Sequence, residues 1–264
     1  MPTESTVEEE WYRMLTEGEP VPRHIYHFLG LLPSDPRCKL CAAPFKSWGG
    51  FLMHLLGRDQ SRYNPRFCEK CEVFEHPGGA EVPLTMLFAD VRGSTQLAER
   101  MSAREFSRLI NRFYTIASHV LIRTDAMVDR LMGDEAIGLY IPGFAGPEHP
   151  RKAIEAAQDL LKLTGHHDAK GPWLPVGIGV HTGQAFVGVV GDESSTADFT
   201  ALGDNVNITA RLASEAGPGE ILISETAYSA SNLRLEKLER RQLELKGKSE
   251  PVGVYVFRAA QNQV

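Results

Sequence analysis

The sequence predicts an α/β fold in which helices flank a mixed sheet, preceded by a small module organised around four cysteines. Three observations carry that expectation. Apolar runs of strand length alternate with amphipathic helical patterns from residue 79 onward, with hairpin signals among them, which favours a mixed sheet over a doubly wound parallel one. All four cysteines fall in two Cys-x-x-Cys pairs, Cys38/Cys41 and Cys68/Cys71. Between Arg37 and Glu75 the chain is rich in Cys, Gly, Pro and aromatics and has little periodicity. A metal-held fold has that character, because so few residues bury little surface. Two domains are expected, 1–78 and 79–264, meeting in the turn-forming HPGG at 76–79.

The elements follow in order. The N-terminus opens with a short helix on which Trp11, Met14 and Leu15 share helical spacing. A second apolar stretch, HIYHFLGLL, stops at Pro33. In the second domain, Leu84–Ala89 is a buried strand ending at Asp90. Ser102 and Glu105 form a capping box for a long helix whose stripe is Phe106, Leu109, Ile110, Phe113, Ala117, Val120 and Leu121. Strands at Met127–Leu131 and Ala136–Ile141 meet at a Gly133-Asp134 turn. Pro142–Pro150 is expected to be a loop and Arg151–Leu163 a helix. Val176–His181 and Ala185–Val190 are expected to form a hairpin. Asn205–Ser214 is expected to be helical, Glu220–Ser224 a strand and Glu225–Ala230 a short helix. Two strands, near Arg234–Leu238 and Val252–Phe257, close the chain.

Composition narrows the function. With 264 residues, 42% hydrophobic and 23% charged, the chain is of ordinary globular type. Its 28 basic and 34 acidic residues give a net charge of −6, so no broad basic field invites nucleic acid, although Arg234–Lys248 is locally basic. No apolar run approaches the roughly eighteen residues of a membrane span. The acidic start, MPTESTVEEE, is the opposite of a secretory signal. A cytoplasmic protein with no membrane partner is expected. No Gly-x₄-Gly-Lys-Ser/Thr loop exists, and the glycines at 177, 179 and 183 lack dinucleotide-loop spacing.

Asp90 and Asp134 each end a strand-type run beside a turn glycine, Gly93 and Gly133. Aspartates so presented can hold Mg²⁺, which takes one or two carboxylates and completes its shell with water and phosphate oxygens. Further on, Asn207 and Arg211 lie four residues apart, on one face of the expected helix, suited to a ribose and a charged phosphate.

The surrounding sequence resembles the class III nucleotidyl cyclases, the adenylate and guanylate cyclase catalytic domain, from about Leu84 to Phe257. LFADVRGST and RLMGDEAIGLY are similar to the family's two metal motifs. LGDNVNITARL is similar to its transition-state motif, GVHTGQAFVGVVG to its central hairpin, and LKGKSEPVGVYVF to its C-terminal lysine segment. The resemblance implies a ferredoxin-like catalytic domain holding two Mg²⁺ or Mn²⁺ ions per site through Asp90, the adjoining Val91 and Asp134. Asn207 would orient the ribose, and Arg211 with Lys246 or Lys248 would meet the phosphates. The implied reaction is attack of the ribose 3′-oxygen on the α-phosphorus, releasing pyrophosphate. In the family, sites form between two catalytic domains, which implies a homodimer with two equivalent sites. Where adenylate cyclases usually carry lysine and guanylate cyclases glutamate, this chain has Arg130; the partner position is Thr200, as in one adenylate cyclase subgroup. That pair favours ATP. GTP stays open, because a guanidinium fork also suits guanine O6 and N7. A cyclase-like domain that binds nucleotide without turnover stays open as well. So does a diguanylate cyclase, although Met132 and Ala136 break its signature.

The cysteine spacing, Cys-x₂-Cys-x₂₆-Cys-x₂-Cys, suits a tetrahedral thiolate site for structural Zn²⁺, with iron or an iron–sulfur cluster as the alternative. Its role is either a fold-stabilising staple, a redox or metal switch on the enzyme, or an adaptor for another macromolecule. His54, between the pairs, is a weaker ligand candidate. Trp48 and Phe51 beside the site are expected in the core.

Overall fold

The computed structural model describes residues 4–18, 36, 38, 43–62, 65–72, 78–190, 198–236, 238–245, 248 and 250–259. The apolar stretch at 24–32 lies outside them. The centre of the fold is an antiparallel pair, β1 (Gly79–Val91) and β4 (Val176–Val190), in register from Gly79↔Gly188 to Val91↔Val176. β3 (Glu135–Tyr140) lies on the free side of β1, and β2 (Met127–Met132) lies outside β3. On the far side of β4 runs β6 (Glu220–Ser224), parallel to it, followed by β8 (Val252–Arg258) and β7 (Glu239–Leu243). β5 (Asp198–Leu202) pairs with the distal half of β4. The sheet is therefore mixed, as expected.

The hairpin expected within 176–190 does not form, because β4 is one continuous strand. Thr182, Gly183 and Gln184, which carried the turn signal, pair with Thr85, Leu84 and Pro83. Gly183 is required by packing rather than by a turn, since a Cβ there would lie 2.5 Å from Asn205 Cγ. Pro83 is tolerated because β3 pairs with β1 only from Thr85 onward.

Alternation along β1 divides the core in two. Leu87, Ala89 and Val91 face α5 (Ala103–Arg123) and α7 (His149–Leu163). The capping box of α5 is present as expected: Ser102 accepts from the Glu105 backbone while Glu105 accepts from the Ser102 backbone. Short helices α4 (Ser94–Arg100) and α6 (Pro142–Ala145) complete this part, so Pro142–Pro150 is not wholly loop. Val82, Leu84, Met86 and Phe88 face the opposite way, onto the N-terminal segment. There α1 (Glu4–Glu17) buries Trp11, Met14 and Leu15, and Trp11 stacks on Phe199 with centroids 6.4 Å apart. Gly143 admits no side chain, because its Cβ would lie 2.3 Å from Met14 O. Phe67 packs against Phe144 at 5.1 Å.

α2 (Ser47–Leu55) and α3 (Glu69–Glu72) belong to the cysteine segment. Trp48 and Phe51 are not core residues as expected; they are 61% and 66% exposed, while Gly49 and Met53 turn inward. Arg66 ties this segment to the rest. Its Nη1 donates to the carbonyls of Ile122 and Arg123 at the end of α5 and to Asp125, at 2.7, 2.6 and 2.5 Å. α8 (Asp204–Glu215) lies along β4, and α9 (Glu225–Ser231) follows β6. The strand expected near Arg234–Leu238 is found five residues later, as β7. There Arg241 pairs with Glu220 and Glu239, and Arg258 with the same two acids. No helix among the described residues is long and apolar enough to cross a membrane.

Candidate active site

The two aspartates meet at one end of the central strands. Asp90 is the penultimate residue of β1, opposite Glu135 in β3 and Gly177 in β4. Asp134 occupies a two-residue turn between β2 and β3, whose first position, Gly133, has φ 67°. A positive φ there matches the twist of the flanking strands, and only glycine adopts it without strain. The Val91 N–H donates to Asp134 O at 3.0 Å, locking the turn against β1. Ser94, at the start of α4, donates its hydroxyl to Asp134 Oδ2, and Gly93 before it has φ 69°. Tyr114 on α5 donates to Gly133 O at 2.9 Å.

The electrostatics are those of crowded negative charge. Burial pushes the Asp90 carboxyl above its usual range; the bond and charge of Arg92 oppose this, and the Asp134 charge adds to it. Glu135 is also raised, by burial and then by Asp90 and Asp134. Arg92 forms an ion pair with Asp90, donates through Nη1 to Ser214 O at 2.7 Å, and leaves its buried Nε without an acceptor. Three carboxylates facing one guanidinium leave unbalanced negative charge. Such a donor set fits a divalent cation that brings phosphate oxygens with it. Arg92, Ser94 and Glu135 lie inside the two metal motifs, but their roles depend on contacts with residues distant in the chain. Tyr114 carried no signal at all.

Asn207 and Arg211 lie on one flank of α8, Asn207 exposed and Arg211 half-buried. α8 runs antiparallel to β4, with Ala216 against Gly177, Ala213 against Gly179 and Asn205 against Gly183. The glycines at 177 and 179 serve this close approach, because a Cβ on either would lie 2.5 Å from the helix backbone. Asp90, opposite Gly177, therefore sits by the C-terminal end of α8, whereas Asn207 lies roughly 13 Å back along its axis. Among the described residues, neither Asn207 nor Arg211 shares a side-chain hydrogen bond or ion pair with the aspartates. The charges acting on Asp90 are those of Arg92 and Asp134.

The base-side residues are less gathered. Thr200 in β5 is opposite Gly188 and buried. Arg130 lies in β2 just after an irregularity in its pairing with β3, and its side chain is outside the described set. Lys248 Nζ pairs with Asp204 at the start of α8; Lys246 lies outside the described residues.

In the cysteine segment, the sulfurs of Cys38, Cys68 and Cys71 all lie within 4.8 Å of one another. Cys68 N–H donates to Cys38 Sγ at 3.3 Å, and Arg58 Nη1 approaches Cys68 Sγ at 3.9 Å, contacts that favour thiolate. Cys41 is outside the described residues. His54 bonds Asp59 at 2.7 Å instead of joining the sulfurs.

Known proteins resemble this chain in sequence and fold. Residues 80–259 match the Adenylate and Guanylate cyclase catalytic domain family. An adenylate cyclase of Anabaena cylindrica is 29% identical over 187 residues, 67% of this chain and 37% of that protein. Guanylate cyclase 2G of Mus musculus is 28% identical over 175 residues, 63% of this chain and 16% of that protein. The chain thus spans well under half the length of these relatives. The crystal structure of the guanylyl cyclase Cya2 aligns with a TM-score of 0.62 at 26% identity, covering 68% of this chain and 93% of that one. The adenylyl cyclase CyaB from P. aeruginosa aligns at 0.59 and 28%, covering 67% and 94%. The match at 80–259 takes in well over half of the chain, which therefore belongs to the adenylate and guanylate cyclase catalytic domain family.

Proposed function

We propose that the protein is an adenylate cyclase, converting ATP to cyclic 3′,5′-AMP and pyrophosphate as a cytoplasmic homodimer with shared active sites. The observation that carries this reading is the division of the site. Asp90 and Asp134 converge at one end of the sheet, while Asn207 and Arg211 stand on the flank of α8 without contact to them. Two copies related by a two-fold axis would bring each half against the other's complement.

Asp90, Asp134 and the neighbouring Val91 would hold two Mg²⁺ or Mn²⁺ ions, which when bound neutralise the triphosphate and acidify the 3′-hydroxyl. Asn207 would orient the ribose so that its 3′-oxygen stands in line with the α-phosphorus. Arg211 would neutralise charge as pyrophosphate leaves. Lys246 or Lys248 would meet the phosphates, Lys248 from its position beside Asp204 at the start of α8. Because attack is intramolecular, most of the acceleration comes from positioning and fixed charge. Arg130 and Thr200 together favour adenine. Similar proteins include both adenylyl and guanylyl cyclases, so the nucleotide is decided by assay: purified protein with Mg²⁺ or Mn²⁺ and either ATP or GTP. Cyclic AMP from ATP supports the proposal, cyclic GMP from GTP as the sole product assigns a guanylate cyclase, and nucleotide binding without either product overturns catalysis.

Cys38, Cys41, Cys68 and Cys71 would hold one structural Zn²⁺, the thiolate set favouring zinc over iron. Elemental analysis of the intact protein distinguishes the two metals.

A further inference from the structure

Strand alternation turns positions 177, 179, 181 and 183 of β4 toward α8. Three of them are glycines, on which a Cβ would lie 2.5 Å from Ala216, Ala213 and Asn205 in turn. The remaining one is His181, which is 5% exposed. An imidazole is a costly occupant of such a place unless its nitrogens are hydrogen-bonded. Its Nε2 lies 2.8 Å from Asn205 Oδ1. Asn205 Nδ2 donates to Gln184 O at 2.7 Å, so the amide oxygen faces the ring and Nε2 is the donor. Burial lowers the His181 pKa from its ordinary value, which suits a neutral ring carrying its proton on Nε2. Nδ1 stands 3.5 Å from Thr226 Oγ1, and that hydroxyl donates to Thr182 O at 2.8 Å.

The Asn205 amide therefore grips β4 at two points, the ring of His181 and the carbonyl of Gln184, across the bare Cα of Gly183. The start of α8 has little else of that kind. Gly203 at its N-cap gives the first turn no side-chain bond, and the acid of the Asp204–Lys248 pair is 64% exposed, where an ion pair contributes little. Packing through Ile208, Leu212 and Ala213 is apolar and non-directional, whereas the two amide bonds are directional. Asn207 follows Asn205 by two residues, roughly 200° further round the helix, and is accordingly exposed while Asn205 faces the strand. The rotation of the first turn that Asn205 fixes is thus the rotation that aims Asn207.

We propose that His181 is a positioning residue for the cyclase reaction, acting through Asn205 to hold the first turn of α8 and so the direction of Asn207. The proposal rests on the reading given above, in which Asn207 orients the ribose. A misplacement of about 1 Å in such a group costs on the order of 10²-fold in rate.

The test compares Asn205→Ala with two isosteric changes at His181. Glutamine places an amide N–H where Nε2 stands; asparagine reaches only as far as Nδ1. Steady-state kinetics should show kcat lowered about tenfold or more by Asn205→Ala and by His181→Asn, with KM little changed, and kcat largely kept by His181→Gln. Adding Asn205→Ala to Asn207→Ala should cost less than about twofold further, because the group it misplaces is already gone. In nucleotide-free protein, Asn205→Ala should speed amide hydrogen exchange over residues 203–211 about tenfold and leave β1 unchanged. Parental kcat in Asn205→Ala overturns the proposal, as do equal kcat values for His181→Asn and His181→Gln. Losses from Asn205→Ala and Asn207→Ala that multiply in full overturn it too, and so does unaltered exchange over 203–211. A parent that forms neither cyclic nucleotide refutes the functional reading instead, and the exchange measurement still judges the hold on α8.

Discussion

Acidification should weaken the fold through His149. This residue opens α7 and places Nδ1 2.9 Å from Thr85 Oγ1, which in turn bonds Thr182 Oγ1 across the β1–β4 pair. Burial, helped by the Lys152 charge, lowers its pKa from 6.5 to about 4. The unfolded chain therefore binds a proton between these values while the native state does not. Stability from this group is complete above pH 6.5 and is lost as pH falls toward 4. A shift of this size corresponds to roughly 3 kcal/mol in full, of which about 2 kcal/mol is expressed by pH 5. His181, also lowered by burial, acts in the same direction. Asp90 and Glu135, whose values are raised, act in the opposite one. A His149→Asn variant isolates the His149 contribution, because the other groups are common to both proteins and the amide can still bond Thr85. Urea unfolding at pH 7.5 and pH 5 should show the parent losing about 2 kcal/mol more than the variant. Equal losses would refute the assignment of a neutral, buried His149.

Arg66→Ala should destabilise the protein by roughly 1–3 kcal/mol, read by urea unfolding, because Asp125 and the end of α5 lose a charged donor. The effect stays moderate because Lys152 still bonds Asp125 at 3.0 Å. Tyr114→Phe removes the hydroxyl that holds Gly133 O. It should lower kcat several-fold while changing stability by only about 1 kcal/mol, measured by steady-state kinetics and melting. If the cysteine site holds zinc, a strong chelator should remove one equivalent and lower the melting point, with both effects reversed by added Zn²⁺.

Much of the site was legible because it is local. A strand-end aspartate, a glycine turn and an i, i+4 Asn/Arg pair each declare themselves within a dozen residues. The capping box of Ser102 and Glu105 is equally local and is found as expected. Errors arose where a residue's reason lies elsewhere in the chain. Gly183 signals a turn by composition, yet it is glycine because Asn205 of α8 stands against it in a straight strand. Trp48 and Phe51 are as apolar as any core residue, and nothing in their neighbourhood announces which side of α2 the sheet will take.

The resemblance of the motifs to a known family supplied the class of chemistry and the transition-state candidates, and sequence alone determined the mixed sheet and the metal-binding candidates. These follow from short-range pattern and residue type. Tertiary structure decided the rest. It brought Ser94, Glu135 and Tyr114 from three elements, and Arg92 from the turn after β1, around the two aspartates, and it buried Asp90 enough to raise its pKa. It also set Asn207 and Arg211 apart from them and left Trp48 and Phe51 of α2 exposed. Those outcomes depend on how a long β1–β4 pair orients its two faces and on what each face then buries, which no single stretch of sequence encodes.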